Sequence, residues 1–104
     1  MFRQYNLTLD GTAQSLADAI VPAPLTVEEN LRDIILQPDD GASNPFFFGD
    51  ENVTLAVYAF RLEGGATPPL PFSVGHFSTG PLKLGDLWVI GTADEILNIG
   101  VIPY

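Results

Sequence analysis

The sequence predicts an all-β domain: a small two-sheet sandwich of seven or eight short strands, with a jelly roll as the preferred arrangement. Three observations carry this reading. Apolar residues alternate with polar ones over short runs, as in Tyr5, Leu7 and Leu9 against Gln4, Asn6 and Thr8, which is the period of a half-buried strand. Ten glycines and nine prolines punctuate the chain at short intervals, and no long stretch keeps a helical spacing of apolar residues. Finally, several runs are apolar at consecutive positions, so both faces of those strands need cover. The 104 residues make a single domain, 1–104, with room for one modest core.

Taken in order, the first strand runs to Asp10, where Asp10-Gly11 supplies a turn. Gln14 to Val21 fits a short strand or a single helical turn equally well, and Pro22 and Pro24 end it. Thr26 and Glu29 have the spacing of a capping box, but a polar loop leading into a strand over Leu31 to Gln37 is preferred. In that strand Leu31 and Ile35 are expected to face away from Arg32, Ile34 and Leu36. Gln37 to Pro45 is a loop by every turn signal, and Phe46-Phe47-Phe48 follows between Pro45 and Gly49. Three successive rings put aromatic surface on both faces of one short strand. One face belongs to the core; the other lies either under a loop of the same chain or against another subunit.

After a turn at Asp50-Glu51-Asn52, the longest strand is expected over Asn52 to Leu62, apolar on both sides and central in its sheet. Gly64 to Pro71 is a loop or extended arm, Phe72 to Phe77 a strand, and Ser78 to Pro81 a turn. Leu82 to Leu84 leads into a last antiparallel hairpin, in which apolar runs at Leu87 to Ile90 and Ile96 to Ile102 flank the polar break Gly91 to Glu95. In the second run Leu97, Ile99 and Val101 share one face, while Ile96, Asn98, Gly100 and Ile102 share the other.

Thirteen acidic and four basic residues give a net charge of −9. Such a chain lacks the clustered Lys and Arg that phosphate backbones or anionic lipids require, so neither a nucleic-acid nor a membrane partner is expected. With no cysteine there is no disulfide framework, thiolate nucleophile or thiolate metal site. No apolar run approaches the ~20 residues of a spanning helix, and no basic-then-apolar leader opens the chain. A soluble protein is expected.

A search for chemistry finds no catalytic set. His76 is the one histidine, and nothing in its spacing brings a serine and a carboxylate to it; a surface or interface role is expected. The acidic pairs Glu28/Glu29, Asp39/Asp40, Asp50/Glu51 and Asp94/Glu95 all fall in turns, where solvated carboxylates are ordinary, and Asp39-Asp40-Gly41 lacks the further ligands of a calcium loop. Asn6-Leu7-Thr8 and Asn52-Val53-Thr54 match the glycosylation pattern but lie in or beside strands and read as chance. Trp88, among apolar neighbours, is expected in the core rather than as a sugar platform. No enzyme activity, cofactor or metal is expected.

The opening Phe-Arg-Gln-Tyr-Asn-Leu-Thr-Leu and the ending Leu84-Gly85-Asp86-Leu87-Trp88-Val89-Ile90-Gly91-Thr92-Ala93 through Ile102-Pro103-Tyr104 resemble small virion proteins of tailed bacteriophages, most closely head decoration or cement proteins. The resemblance implies a non-enzymatic structural protein of the virion, outside the capsid and in the host cytoplasm before assembly. There, as a dimer or trimer, it would bridge and stabilise major capsid protein subunits. A tail or head-fibre component is the alternative, and a carbohydrate-binding sandwich a more distant one. For the interface, Phe46, Phe47, Phe48, Ile99, Val101, Ile102 and Tyr104 are the expected residues, each buried aromatic contributing roughly 1.5–3 kcal/mol before ordering costs.

Overall fold

The computed structural model describes residues 3–20, 30–65, 70–75 and 81–104. Eight strands lie in this part of the chain: β1 (Arg3–Thr8), β2 (Gln14–Ser15), β3 (Leu31–Pro38), β4 (Phe46–Gly49), β5 (Phe60–Leu62), β6 (Phe72–Ser73), β7 (Trp88–Ile90) and β8 (Ile96–Pro103). They form two antiparallel four-stranded sheets, one ordered β1-β8-β3-β6 (sheet A) and the other β2-β7-β4-β5 (sheet B). The first strand therefore pairs with the last, the second with the seventh, the third with the sixth and the fourth with the fifth. A long antiparallel ribbon rolled over on itself pairs its strands in this order, which is that of a jelly roll. The β4–β5 loop, residues 50–59, is the tip of the ribbon.

β8 is the organising strand, hydrogen-bonded to β1 from Thr8↔Ile96 to Arg3↔Val101 and to β3 from Pro38↔Leu97 to Leu31↔Pro103. Its alternation is as expected: Leu97, Ile99 and Val101 are buried, and Asn98 and Gly100 lie on the outer face. Tyr5, Leu7 and Leu9 likewise face inward. Opposite them, sheet B contributes Phe46, Phe48 and Val89, each with no exposure, so one core is filled by alternate residues of two facing sheets.

The two sheets are also joined at one side by stacked rings. Phe48 on β4 lies 4.9 Å from Phe60 on β5 with ring planes 10° apart, and Phe60 lies 4.5 Å from Phe72 on β6 at 19°. β5 and β6 are short edge strands of different sheets, so this stack closes the sandwich where backbone pairing is sparse. The Asp33 carboxylate anchors β6 as well, accepting from the Ser73 hydroxyl (2.6 Å) and the Gly75 N–H (2.7 Å).

Several expectations need correction. The last two strands are not a hairpin, because β7 belongs to sheet B and β8 to sheet A. The five residues between them span the gap between layers, and Asp94 takes a left-handed φ of 72° in a turn closed by the Glu95 N–H on the Thr92 carbonyl. In β3, Leu31 and Ile34 face inward together. The pairing skips Arg32, from Leu31↔Pro103 to Asp33↔Ile102, and this bulge sends Ile35 outward and Leu36 inward. The long strand over Asn52 to Leu62 shrinks to β5. Thr54 captures the Ala56 and Val57 N–H groups with its hydroxyl and bonds the Val57 carbonyl through its own N–H, which folds residues 53–57 into tight turns despite their apolar content.

Gln14 to Ile20 is both of the alternatives considered, β2 followed by a 3-10 helix over Leu16–Ile20, with Leu16 buried. Leu82 makes a single bridge to Leu31, and Leu84–Asp86 is a 3-10 turn rather than strand. Trp88 is half-buried on the outer face of sheet B, since its register opposite Gly49 gives the inward position to Val89. The Thr26/Glu29 capping box, His76 and residues 78–80 of the Ser78 to Pro81 turn lie outside the described residues, as do the middle of the Gly64 to Pro71 loop and the end of the Phe72 to Phe77 strand.

Two substitutions test this packing. Phe48→Ala removes the middle of the core and one end of the ring stack, and should cost about 3–5 kcal/mol in urea unfolding. Asp94→Gly relieves the left-handed backbone and should raise stability by about 0.5 kcal/mol, read from the thermal midpoint.

Candidate interaction surface

The structure separates the seven residues expected at an interface. Phe46, Phe48, Ile99 and Val101 lie in the core at 0–1% exposure, so no partner reaches them without opening the subunit. Phe47, on the outer face of sheet B, is covered by its own chain. Tyr58 meets it edge-on at 4.9 Å, and the Arg61 guanidinium lies 6.0 Å from its ring centre. Of the two readings of the triple-Phe strand, the loop of the same chain is the one realised. Ile102 is half-buried on the outer face of sheet A, and Tyr104 is exposed with the Arg32 guanidinium 5.6 Å from its ring.

The segment that covers Phe47 exposes apolar surface of its own. Residues 50–59 cross the outer face of sheet B, pressing Val53 against Gly49, where a Cβ would sit 3.3 Å from the valine side chain. Val53 is buried, and the Ala59 N–H returns the chain to sheet B through the Phe48 carbonyl at 2.7 Å. With Val53 turned inward, the tight turns at Thr54 leave Leu55 at 61%, Val57 at 68% and Tyr58 at 41% exposure. Single exposed apolar residues are ordinary on a protein surface; three within four positions on one ordered loop are not.

Beside Leu55 is a shallow groove of about 390 Å³, lined also by Phe47, Pro45, Gly11, Gly91 and Ala93. It places the apolar loop next to the turns that carry Asp10 and Asp94, which are adjacent because the Asp94 N–H donates to the Leu9 carbonyl at 2.8 Å. Asp50 and Glu51 stand at the start of the loop itself. No Lys or Arg occurs in residues 9–13, 38–45, 50–59 or 91–95. The exposed aliphatic and aromatic side chains therefore neighbour turns that carry carboxylates, and the Arg61 guanidinium over Phe47 beside Tyr58 is paired with Glu63.

Two of the carboxylates in these turns are tied down. Partial desolvation alone would push the Glu95 carboxyl up. The N–H groups of Ser43 (2.9 Å) and Asn44 (3.0 Å), with the Ser43 hydroxyl and the Asn44 amide, outweigh it and hold Glu95 below the usual carboxylate value. These contacts lock the loop before β4 to the turn before β8. The hydroxyl and N–H of Thr12 hold Asp10 below its usual value in the same way. Among the described residues, no group of three His, Asp or Glu side chains is placed to hold a metal ion.

The apolar stretch Val53 to Phe60 was visible in the sequence, but as strand; the signal for a loop was Thr54 two and three residues before Ala56 and Val57, the spacing of a side-chain-capped turn. In comparisons with protein-family models, with curated proteins and with solved structures, nothing matches this chain.

Glu95 gives a pH test. A carboxyl whose pKa is lower folded than unfolded adds stability above its unfolded value near 4.5, and that stability is lost as pH falls through the lower folded value. The wild type should therefore be more stable than Glu95→Gln at pH 7, and the gap in thermal unfolding should narrow as pH falls below about 4.5.

Proposed function

We propose that this chain is a non-enzymatic structural protein of a tailed-phage virion that decorates the outer capsid surface, oligomerises, and bridges and stabilises major capsid subunits. The observation that carries the reading is the loop Leu55-Ala56-Val57-Tyr58, an exposed apolar knob held in place by Thr54 and by Val53 on Gly49. Also in its favour are the resemblance of both chain ends to small head proteins, and a jelly roll whose ribbon tip is the element displayed.

The knob specifies the kind of socket it fits. An apolar recess accepts Leu55, Val57 and Tyr58, and Lys or Arg at its rim meets the carboxylates of Asp10, Asp50, Glu51 and Asp94. Each aliphatic side chain buried there contributes roughly 1.5–3 kcal/mol before ordering costs, so a single contact is weak. An oligomer engaging several equivalent sites on a shell holds much more strongly, because each later contact forms at high effective concentration.

Co-sedimentation with capsids of the phage that encodes the chain tests the proposal. The wild type should pellet with the capsids and be released progressively by salt. Leu55→Asp and Val57→Asp should each weaken binding at least tenfold while leaving the thermal midpoint within a few degrees. Wild-type protein that stays in the supernatant, or variants that bind as well as wild type, would overturn it; a cryo-map showing the protein on the tail and absent from capsomer junctions would select the tail component instead.

A further inference from the structure

Among the described residues the two sheets have four edge strands, and three are blunted by length alone: β2 and β6 have two residues each and β5 has three. β1 is different. It runs for six residues, Arg3–Thr8, in unbroken register with β8, and contains no proline, glycine or bulge. Edge strands of soluble proteins are ordinarily protected by one of those devices or by charge, and Gln4-Tyr5-Asn6-Leu7-Thr8 carries none of them.

The direction of each backbone group on β1 follows from the residue just beyond its end. The Leu9 N–H donates to the Glu95 carbonyl (2.9 Å) and the Leu9 carbonyl accepts from the Asp94 N–H (2.8 Å), so Leu9 bonds toward the β8 side. Antiparallel pairing alternates. Leu7, Tyr5 and Arg3 therefore bond toward β8 as well, while Thr8, Asn6 and Gln4 turn their N–H and C=O groups to the open edge. Asp10, next in that outward series, has its N–H capped by the Gln14 side chain at 3.0 Å. Gln4, Asn6 and Thr8 have no such cap: they are exposed, and no backbone hydrogen bond reaches their outer edge among the described residues. The 3-10 helix over Leu16–Ile20 packs near β1 without supplying one.

We infer that two copies of the chain join along this edge, β1 against β1 and antiparallel about a two-fold axis, so that sheet A continues from one copy into the other. One register pairs every open group. With Asn6 opposite its own copy, Gln4 falls opposite Thr8, and the N–H and C=O groups of these three residues on each strand close on one another. A slip of one residue would set the inward face of one copy against the outward face of the other. In the paired register Tyr5 of each copy lies beside Leu7 of the other on the core side, an aromatic–aliphatic cross-strand pair, and no like charges oppose. The end of β1 that carries Arg3, the strand's one charge, comes alongside the opposite end of the second strand, next to Asp10. A second copy is favoured as the occupant because its strand presents the same three open residues at the same spacing, with matching faces and opposite end charges. The contact runs from Gln4 to Thr8, about 17 Å of strand, so it is small, and association is weak and concentration-dependent. The inference gives a place to the oligomerisation in the proposed function, but rests on this edge alone and not on the knob or on any capsid.

Sedimentation and amide exchange together test it. Over a concentration series up to about 1 mM, sedimentation velocity should show a monomer–dimer equilibrium. The amides of Gln4, Asn6 and Thr8 should exchange rapidly in the monomer and at least tenfold more slowly as the dimer forms, while those of Tyr5 and Leu7 are slow throughout. Asn6→Pro removes an N–H that the subunit itself does not use, and should raise the dimer dissociation constant at least tenfold with the fold intact by circular dichroism. Asn6→Lys sets like charges across the axis and should do the same without constraining the backbone. Leu55→Asp should leave dimerisation unchanged even where it abolishes capsid binding. A wild type that stays monomeric throughout, a dimer indifferent to both Asn6 variants, a dimer whose Gln4, Asn6 and Thr8 amides stay unprotected, or one that Leu55→Asp dissociates would overturn the inference. Protection of those three amides by capsids with no dimer formed would assign the edge to a strand of the capsid, and would overturn it too.

Discussion

β8 is hydrogen-bonded along its length on both sides, to β1 and to β3, and the sandwich depends on this double pairing. With β8 held between the first strand and the third, Leu97, Ile99 and Val101 are aimed at sheet B, and Phe46, Phe48 and Val89 meet them from the other layer. Because β7 pairs in the opposite sheet, residues 91–95 must cross between layers. That crossing brings Leu9, Asp94 and Glu95 together and lets Glu95 seize the Ser43–Asn44 loop. The ribbon tip is then left over sheet B, with no further strand among the described residues to cover it.

Much of the fold was legible in the residues. The alternation of Tyr5, Leu7 and Leu9 and of Leu97, Ile99 and Val101 identified two strands and their inward faces, and Gly and Pro spacing identified the class. What could not be read was pairing between distant strands. Two apolar runs around a five-residue polar break look the same whether they pair with each other or cross from one sheet to the next. Arg32 hid a bulge, because a strand read at strict period two has no place for an extra residue. Val53 to Phe60 read as strand by composition alone, and local hydrogen bonds to Thr54 overrode that preference.

The surface was legible in kind more than in place. An excess of apolar residues over what one small domain hides was visible, but triple Phe misdirected its location. Alternation puts Phe46 and Phe48 inside, and Tyr58 with Arg61 covers Phe47, so the apolar surface passes outward to the loop that does the covering.

Native-state hydrogen exchange read residue by residue is the most direct measurement of this division between a clamped strand and a displayed loop. Amides of Leu97 to Val101 should exchange only with global unfolding, while those of Leu55 and Tyr58 exchange through small local openings at a far lower free energy. Equal protection of the two segments, or fast exchange throughout β8, would contradict the account.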